Sequence, residues 1–257
     1  DEVNVHNLSS SYQRIDENAN YSQSHQLNWF LEYENTFGEH NISTTLIYEQ
    51  ATNSGKAFWG NAQELMSRNI DQIFATSSNT DRRWFDGYEW ENGRASYIGR
   101  LHYEYGSRYI GEFSFRYDGS YKFPEDERWG FFPSGSFGWR ISEESFFDIP
   151  VINNLKLRGS YGTTGNDAVG AFQYQYNYVE GSSVIFGNSL YNGLQPGTTP
   201  NPNITWEKSV TYDIGLTYGL FDNRLSGDLD YFFTHTYDIL ASRIRTVPGT
   251  YGGSLPD

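Results

Sequence analysis

The sequence predicts an all-β, antiparallel architecture, and three observations carry that prediction. Aromatic residues make up 18% of the 257-residue chain, with 21 Tyr, 18 Phe and 7 Trp, the side chains that favour pleated structure. Long segments alternate between apolar and polar positions, the period of a strand whose two faces meet different surroundings. The connections between these segments are alternately short and long, and they gather Gly, Asn and Asp, the residues that turn a chain.

Taken in order, residues 1–25 are rich in Ser, Asn and Gln and read as a loop. The first strand pair spans 26–50: Leu27, Trp29, Leu31 and Tyr33 share one face, Gly38 to Asn41 turn the chain, and Ile42, Thr44, Leu46 and Tyr48 continue that face. The alternation lapses over 51–95, which reads as a long loop. Within it Ala62, Leu65, Met66, Ile70, Ile73 and Phe74 fall at helical spacing and suggest a short amphipathic helix packed on the base of the loop. The second pair, 96–118, sets Tyr97, Leu101, Tyr103, Tyr105, Phe113, Phe115 and Tyr117 against Arg100, Glu104, Glu112, Arg116 and Asp118. The third, 129–162, sets Trp129, Phe131, Phe137, Trp139 and Ile141 against Gly130, Phe132, Ser134, Gly138 and Arg140. Pro133 interrupts it, having no N–H for a ladder, so a bulge is expected there. A second long loop covers 163–205, and a last pair, 206–238, places Trp206, Val210, Tyr212, Ile214, Leu216 and Tyr218 on one face.

Composition excludes several functions. With no Cys, thiol catalysis, disulfides and Cys-based zinc sites are impossible, and a net charge of −14 opposes sequence-independent nucleic-acid binding. No apolar run reaches the length of a membrane helix. A β-barrel leaves no such run, because only alternate residues meet lipid. Apart from Lys208, charge is confined to one face of the strands, and Tyr103, Tyr105, Tyr109, Tyr117, Trp206 and Tyr231 stand toward strand ends, as in an interfacial girdle. Pattern alone leaves three architectures open: a segment of a large membrane barrel, a complete small barrel serving as adhesin or anchor, and a soluble all-β glycan-binding or glycan-cleaving domain whose dry core is the apolar face.

Several blocks then carry a resemblance. Trp129-Gly130-Phe131-Phe132-Pro133-Ser134, Gly138-Trp139-Arg140-Ile141-Ser142-Glu143-Glu144, Leu155-Lys156-Leu157-Arg158-Gly159-Ser160-Tyr161-Gly162 and Asn201-Pro202-Asn203-Ile204-Thr205-Trp206 occur in that order. Together they resemble the barrel of SusC/RagA-type TonB-dependent transporters. The resemblance implies a stretch of about eight strands from a plugged outer-membrane barrel of the ~22-strand class in a Bacteroidetes-like bacterium. Its long loops would be extracellular and its short turns periplasmic. It implies import of oligosaccharides or oligopeptides, a SusD-like surface lipoprotein as lid, and energy from TonB. Plug domain, TonB box and final strands have no counterpart in these residues, so the expectation is a barrel segment that works only with the remainder of its barrel and the surrounding lipid.

Bond chemistry has little support, and the chain reads as a non-enzyme. Asp228 and Asp230 sit two apart on one strand, which is what a polar wall requires as much as a carboxylate pair does. Neither the His residues nor the acidic runs have ligand spacing, so no cofactor is expected, and only Ca²⁺ held by loop oxygens is conceivable. The loop aromatics Trp59, Trp84, Tyr88, Trp90, Tyr174 and Tyr176 are candidates for stacking on substrate or meeting the lid, with packing of the loops as the competing reading. Arg100, Glu104, Arg116, Asp118, Arg158, Asp213, Asp228 and Asp230 are candidates for the lumen wall, paired with one another across neighbouring strands.

Overall fold

A computed structural model describes residues 13–67, 69–181 and 183–241. Eight long strands form one antiparallel sheet in the order β1 (Arg14–Phe37), β2 (His40–Gln63), β3 (Arg83–Tyr105), β4 (Tyr109–Ser120), β5 (Trp129–Arg140), β6 (Ile152–Asn166), β11 (Glu207–Leu220) and β12 (Leu225–Tyr237). Between β6 and β11, β7 (Tyr178–Glu180) pairs with β10 (Leu194–Pro196), and β8 (Val184–Phe186) pairs with β9 (Ser189–Tyr191). Every neighbour in the large sheet apart from β6 and β11 is also a neighbour in sequence, as hairpin connections dictate. The chain divides into two compact units, Asp1–Leu27 with Ala51–Gly93, and Asn28–Gln50 with Arg94–Asp257.

In the second unit the register fixes what each face carries. One row reads Gly111, Phe137, Gly159, Ile214, Tyr231 across five strands, and the next reads Phe113, Gly135, Tyr161, Tyr212, Phe233. Large side chains thus share these rows with glycines at Gly111, Gly135 and Gly159, where the space that a side chain would take is left open. Among the described residues no second sheet covers this face: Phe137, Tyr212 and Ile214 are each more than half exposed, and Tyr231 is 73% exposed. A soluble sandwich would bury them, so the apolar face needs lipid as its solvent. Strands β4, β5, β6, β11 and β12 run 12 to 15 residues, enough to cross a bilayer at a tilt.

Aromatic belts bound that face. At the short-turn end Tyr105 stacks on Tyr109 at 6.4 Å and Tyr109 on Trp139 at 6.5 Å, while His40 Nδ1 lies 2.7 Å from the Tyr103 hydroxyl. At the long-loop end Tyr117 stacks on Trp129 at 4.9 Å and Tyr97 lies 6.0 Å from the same ring. The belts are separated by roughly 27 Å of strand, comparable after tilt with the ~25 Å apolar band of an outer-membrane barrel. Trp206, expected in this girdle, does not belong to it. It precedes β11, is 5% exposed, and packs on Phe123 at 5.2 Å and Phe132 at 5.3 Å.

The short turns are tied together. Gly106 and Ser107 both take left-handed dihedrals to turn β3 into β4, and the Gly106 amide donates to the Glu39 carbonyl. After β5, Glu144 accepts from the Tyr109 hydroxyl at 2.5 Å, the Trp139 indole at 2.9 Å and Arg108 at 3.4 Å. Hydrogen bonds from Tyr109 and Trp139 outweigh the opposing effect of burial and, with Arg108 nearby, hold this carboxyl below its ordinary pKa.

Pro133 makes no bulge. It faces Phe115 in an unbroken β4–β5 register, and the β5–β6 ladder begins only at Ser134 opposite Gly162. The Pro133 carbonyl accepts from Thr163 Oγ1 at 2.8 Å, so the side of the strand on which the missing N–H would point is the one where no ladder has started.

The first unit departs further from expectation. Residues 14–25 are strand rather than loop, and 51–63 and 83–95 are strand as well, so the loop expected over 51–95 shrinks to the segment between Gln63 and Arg83. Both faces of these extensions are largely exposed or only partly buried, which is why they show no apolar–polar alternation. Among the described residues the helix expected around 62–74 does not form. Glu64 turns left-handed, Leu65 bridges Thr76, the Met66 amide donates to the Ala75 carbonyl, and only single 3-10 turns form at Ile73–Ala75 and Thr80–Arg82. Ala62 and Ala75 are buried while Met66, Ile70 and Phe74 are exposed, so the apolar spacing does not make a packed stripe.

Candidate functional site

The polar face of the second unit carries the charges expected there, in pairings of three kinds. Arg158 reaches over Gly215 on β11 to Asp230 on β12, with both carboxylate oxygens at 2.7 and 2.8 Å, and also meets Asp228 at 3.3 Å. Thr217 donates to Asp228 at 2.6 Å. Arg100 crosses from β3 to Glu112 on β4 at 2.6 Å. Arg116 pairs along its own strand with Asp118, at 3.0 and 3.1 Å, rather than across to a neighbour. Glu104 faces Ile110, and Asp213 stands between Ser160 and Phe232. Glu112, the partner that completes the Arg100 pair, is not among the residues expected on the wall, although its parity places it on this face.

At the long-loop end the same face holds a small core that the alternation did not reveal. Phe132 lies on the polar side, opposite Arg116. Its ring fills the space where a side chain on Gly130 or Gly165 would stand. Phe123, Val169, Ile204 and Trp206 close over it, and Tyr174 packs against the cluster. The Trp206 indole donates to the Arg128 carbonyl at 3.2 Å, satisfying its buried N–H. The Trp-Gly-Phe-Phe block and Gly165 are thus two sides of one packing arrangement.

Beside that core Asp167, 7% exposed, accepts from Arg94 of β3 and from Ser120 of β4 at 2.8 Å, while Lys122 Nζ donates to its main-chain carbonyl at 2.7 Å. Burial acts to raise the Asp167 pKa, but the Arg94 and Ser120 hydrogen bonds and the Arg94 and Lys122 charges outweigh it, leaving the carboxyl below its usual range. A cleft of about 270 Å³ opens next to it, lined by Glu49, Arg94, Arg116, Asp118, Asn166 and Asp167. Arg94 and Arg116 are each already paired inside the cleft, so it suits a neutral hydrogen-bonding group better than an ion.

In the first unit Trp84, Tyr88, Trp90 and Asn92 share one face of β3 by alternation. Trp59 packs against Trp84 at 6.2 Å and edge-on to Tyr88 at 5.8 Å, leaving Trp84 and Tyr88 about half exposed. Trp90 lies over Gly55, and Asn53 donates to Asn92 at 3.0 Å. The loop candidates therefore separate: Tyr174 and Trp90 are packing residues, Trp84, Tyr88 and Tyr176 present accessible rings, and Trp59 holds the first two in place. Among the described residues no group of three or more His, Asp or Glu side chains is arranged to hold a metal ion.

Residues 2–255 match the model of the TonB dependent receptor-like, beta-barrel family. The chain belongs to that family. It is 34% identical over 221 residues to TonB-dependent receptor P3 of Formosa agariphila, covering 83% of this chain and 21% of that protein. It is 41% identical over 160 residues to TonB-dependent receptor SusC of Bacteroides thetaiotaomicron, covering 60% of this chain and 16% of that one. The fold matches the structure of the RagAB peptide importer in its open-open state with a TM-score of 0.81 at 23% identity, over 96% of this chain and 26% of that one. The RagAB peptide transporter structure gives 0.78 at 24% identity, over 90% of this chain and 25% of that chain. The chain thus spans about a fifth of the length of the curated relatives it matches. Family, exposed apolar face and aromatic belts agree on an outer-membrane β-barrel, and the eight strands are an open segment of its wall.

Proposed function

We propose that the chain is barrel wall of an energy-coupled outer-membrane importer of oligosaccharides or oligopeptides that works beneath a SusD-like lipoprotein lid. The observation that carries this is the division of one sheet between a lipid-facing apolar side and a polar side on which Arg100, Arg116 and Arg158 are each paired with carboxylates. Such a wall holds these arginines in pairs, so that a large polar solute meets none of them as a free cation, and the mechanism is gated passage rather than bond chemistry. In this reading Arg158, Asp228 and Asp230, with Arg100 and Glu112, line the lumen, the long connections are extracellular, and the short turns are periplasmic. TonB acts through other parts of the protein.

The half-exposed rings of Trp84 and Tyr88 are the substrate-stacking candidates. In the full-length transporter, alanine at either position should weaken binding of labelled neutral oligosaccharide or oligopeptide pools by about five- to ten-fold, from roughly 1 kcal/mol of ring contact. Heat-modifiable mobility should stay that of a folded barrel, and Trp90→Ala should act on stability instead. Equal binding by all three variants would remove the platform from the transport path.

The lid surface is assigned to the β8–β9 ribbon. Ile185 faces Leu190 across it, Phe186 lies edge-on to Tyr191 at 6.0 Å, and all four side chains are more than half exposed. A two-stranded ribbon is marginal by itself and gains from being covered. Replacing Ile185 and Leu190 by Asp should reduce co-purification of the lipoprotein without reducing folded barrel. Undiminished co-purification would move the lid contact elsewhere.

A further inference from the structure

We propose that the lipid-facing side of β5, β6, β11 and β12 carries a groove, floored by Gly159, that holds an acyl chain of an outer-membrane lipid. The inference rests on the membrane placement of the apolar face and adds to it a specific lipid site. The groove has a volume of about 480 Å³ and is walled by Phe137, Leu157, Tyr212, Ile214, Tyr231 and Phe233. Arg158, Ser160 and Asp213 belong to the opposite parity and offer it main chain only, so its lining is hydrocarbon and ring.

Gly159 is what keeps the groove open, and nothing among the described residues crowds the space above it. Its backbone is not left-handed, and a Cβ would meet only the Asp213 carbonyl oxygen at 3.8 Å, an ordinary separation. By contrast, the rings of Phe115 and Phe132 fill the side-chain space at Gly99 and Gly165. A strand-interior glycine costs stability and is one way to let a ligand approach the backbone, and at Gly159, unlike the equally open Gly111, the space above it is walled on both sides by Phe137, Leu157, Tyr212, Ile214, Tyr231 and Phe233. The occupant follows from position. The groove lies within the exposed apolar face that meets the bilayer, where the molecules at hand are acyl chains, and a slot walled by aliphatic and aromatic groups with no paired charge suits a methylene chain.

The test uses the full-length protein reconstituted in bilayers containing a phospholipid with a diazirine in its acyl chain. After photolysis, peptides carrying residues 157–160 and 212–214 should be labelled above other lipid-facing peptides. Gly159→Leu should reduce their labelling to that of the surrounding face. Gly159→Ala, which fits the backbone, should lower it in part. Gly111→Leu is the control: it lies in the same row, its Cβ would meet nothing within 4 Å, and it lies outside the groove, so groove labelling should persist. Uniform labelling of the apolar face, unchanged by Gly159→Leu, overturns the proposal while leaving the barrel reading intact. So does protection of the groove by a second copy, seen as cross-linked dimer in place of labelled lipid. Absence of label from the whole apolar face would count against the membrane placement itself.

Discussion

Asp167 shows how much one side chain can organise at the base of a long loop. It follows β6 directly and begins the connection to β11, and its carboxylate draws on donors from β3 and β4. Its lowered pKa gives the latch a direction in pH. The folded-state value lies below the unfolded one, so the contribution is fully present above the ordinary Asp range and is lost only as pH falls through the lowered value. Asp167→Asn in the full-length protein should keep the Ser120 contact, lose the charge pairing to Arg94, and cost about 2 kcal/mol, the scale of a hydrogen bond to a charged group. Limited proteolysis within 167–206 at neutral pH is the sensitive measurement. Faster cleavage in the variant, approached by the wild type only in acid, is the expected pattern, and equal cleavage rates at every pH would dismiss the latch. Phe132 works beside it in a different way, because its ring needs Gly130 and Gly165 to be bare and Trp206 to cover it.

At the scale of strands, Pro133 shows that a residue barred from a ladder can sit in regular register where one of its two ladders has not begun. Pro133→Val should therefore change barrel stability by no more than about 0.5 kcal/mol, the range of an uncritical substitution. Gly135→Pro should cost about 3 kcal/mol, because two residues on, the same side of β5 pairs with Tyr161. Comparable losses in a denaturant titration of the two variants would show that Pro133 is paired on both sides. The same contrast explains what the sequence discloses. The strand pairs within 26–50, 96–118, 129–162 and 206–238 are legible because one face meets lipid and the other does not, and period two records that difference, whereas the short ribbons between β6 and β11 carry no such contrast and read as loop. The strand halves at 14–25, 51–63 and 83–95 read as loop in the sequence because no such contrast of solvents marks them, so ladder pairing holds them without leaving a pattern. Parity puts Trp206 and Phe132 each on a face, but the Trp206 ring packs on Phe123 and Phe132 and the Phe132 ring over Gly165, all distant in sequence, which alternation cannot report. Asp167, Ser120 and Arg94 were missed for the same reason, and only the bare Gly165 beside Asn166 hinted that something approaches that corner.

For the whole molecule, the open sheet sets a condition that the bilayer makes strict. Among the described residues, β1 and β12 at the two ends of the eight-stranded order each have a neighbour on one side alone. In water such an edge is a liability, but in hydrocarbon every unpaired amide or carbonyl costs several kcal/mol, so a spanning sheet must close. β12 runs 13 residues, Leu225–Tyr237, with Leu229, Tyr231 and Phe233 continuing the apolar rows of its neighbours. It has the length and the faces of an interior strand rather than of a blunted edge, and among Leu225–Tyr237 there is no Pro and no Lys to discourage pairing. In the full-length barrel the amides of Leu225–Tyr237 should therefore exchange as slowly as those of Ser134–Trp139, which have neighbours on both sides. Strand β12 pairs with β11 on one side already, so half of its amides are protected in any case, and the informative ones are those pointing away from β11. Slow exchange of that alternate set in bilayers, with fast exchange of the same set in the isolated 257-residue segment, would identify the partner strand as coming from elsewhere in the barrel. Fast exchange of the set in both would mean that the sheet meets the membrane with an open edge, which the cost of bare peptide groups in hydrocarbon forbids, and the wall would then have to close by another route.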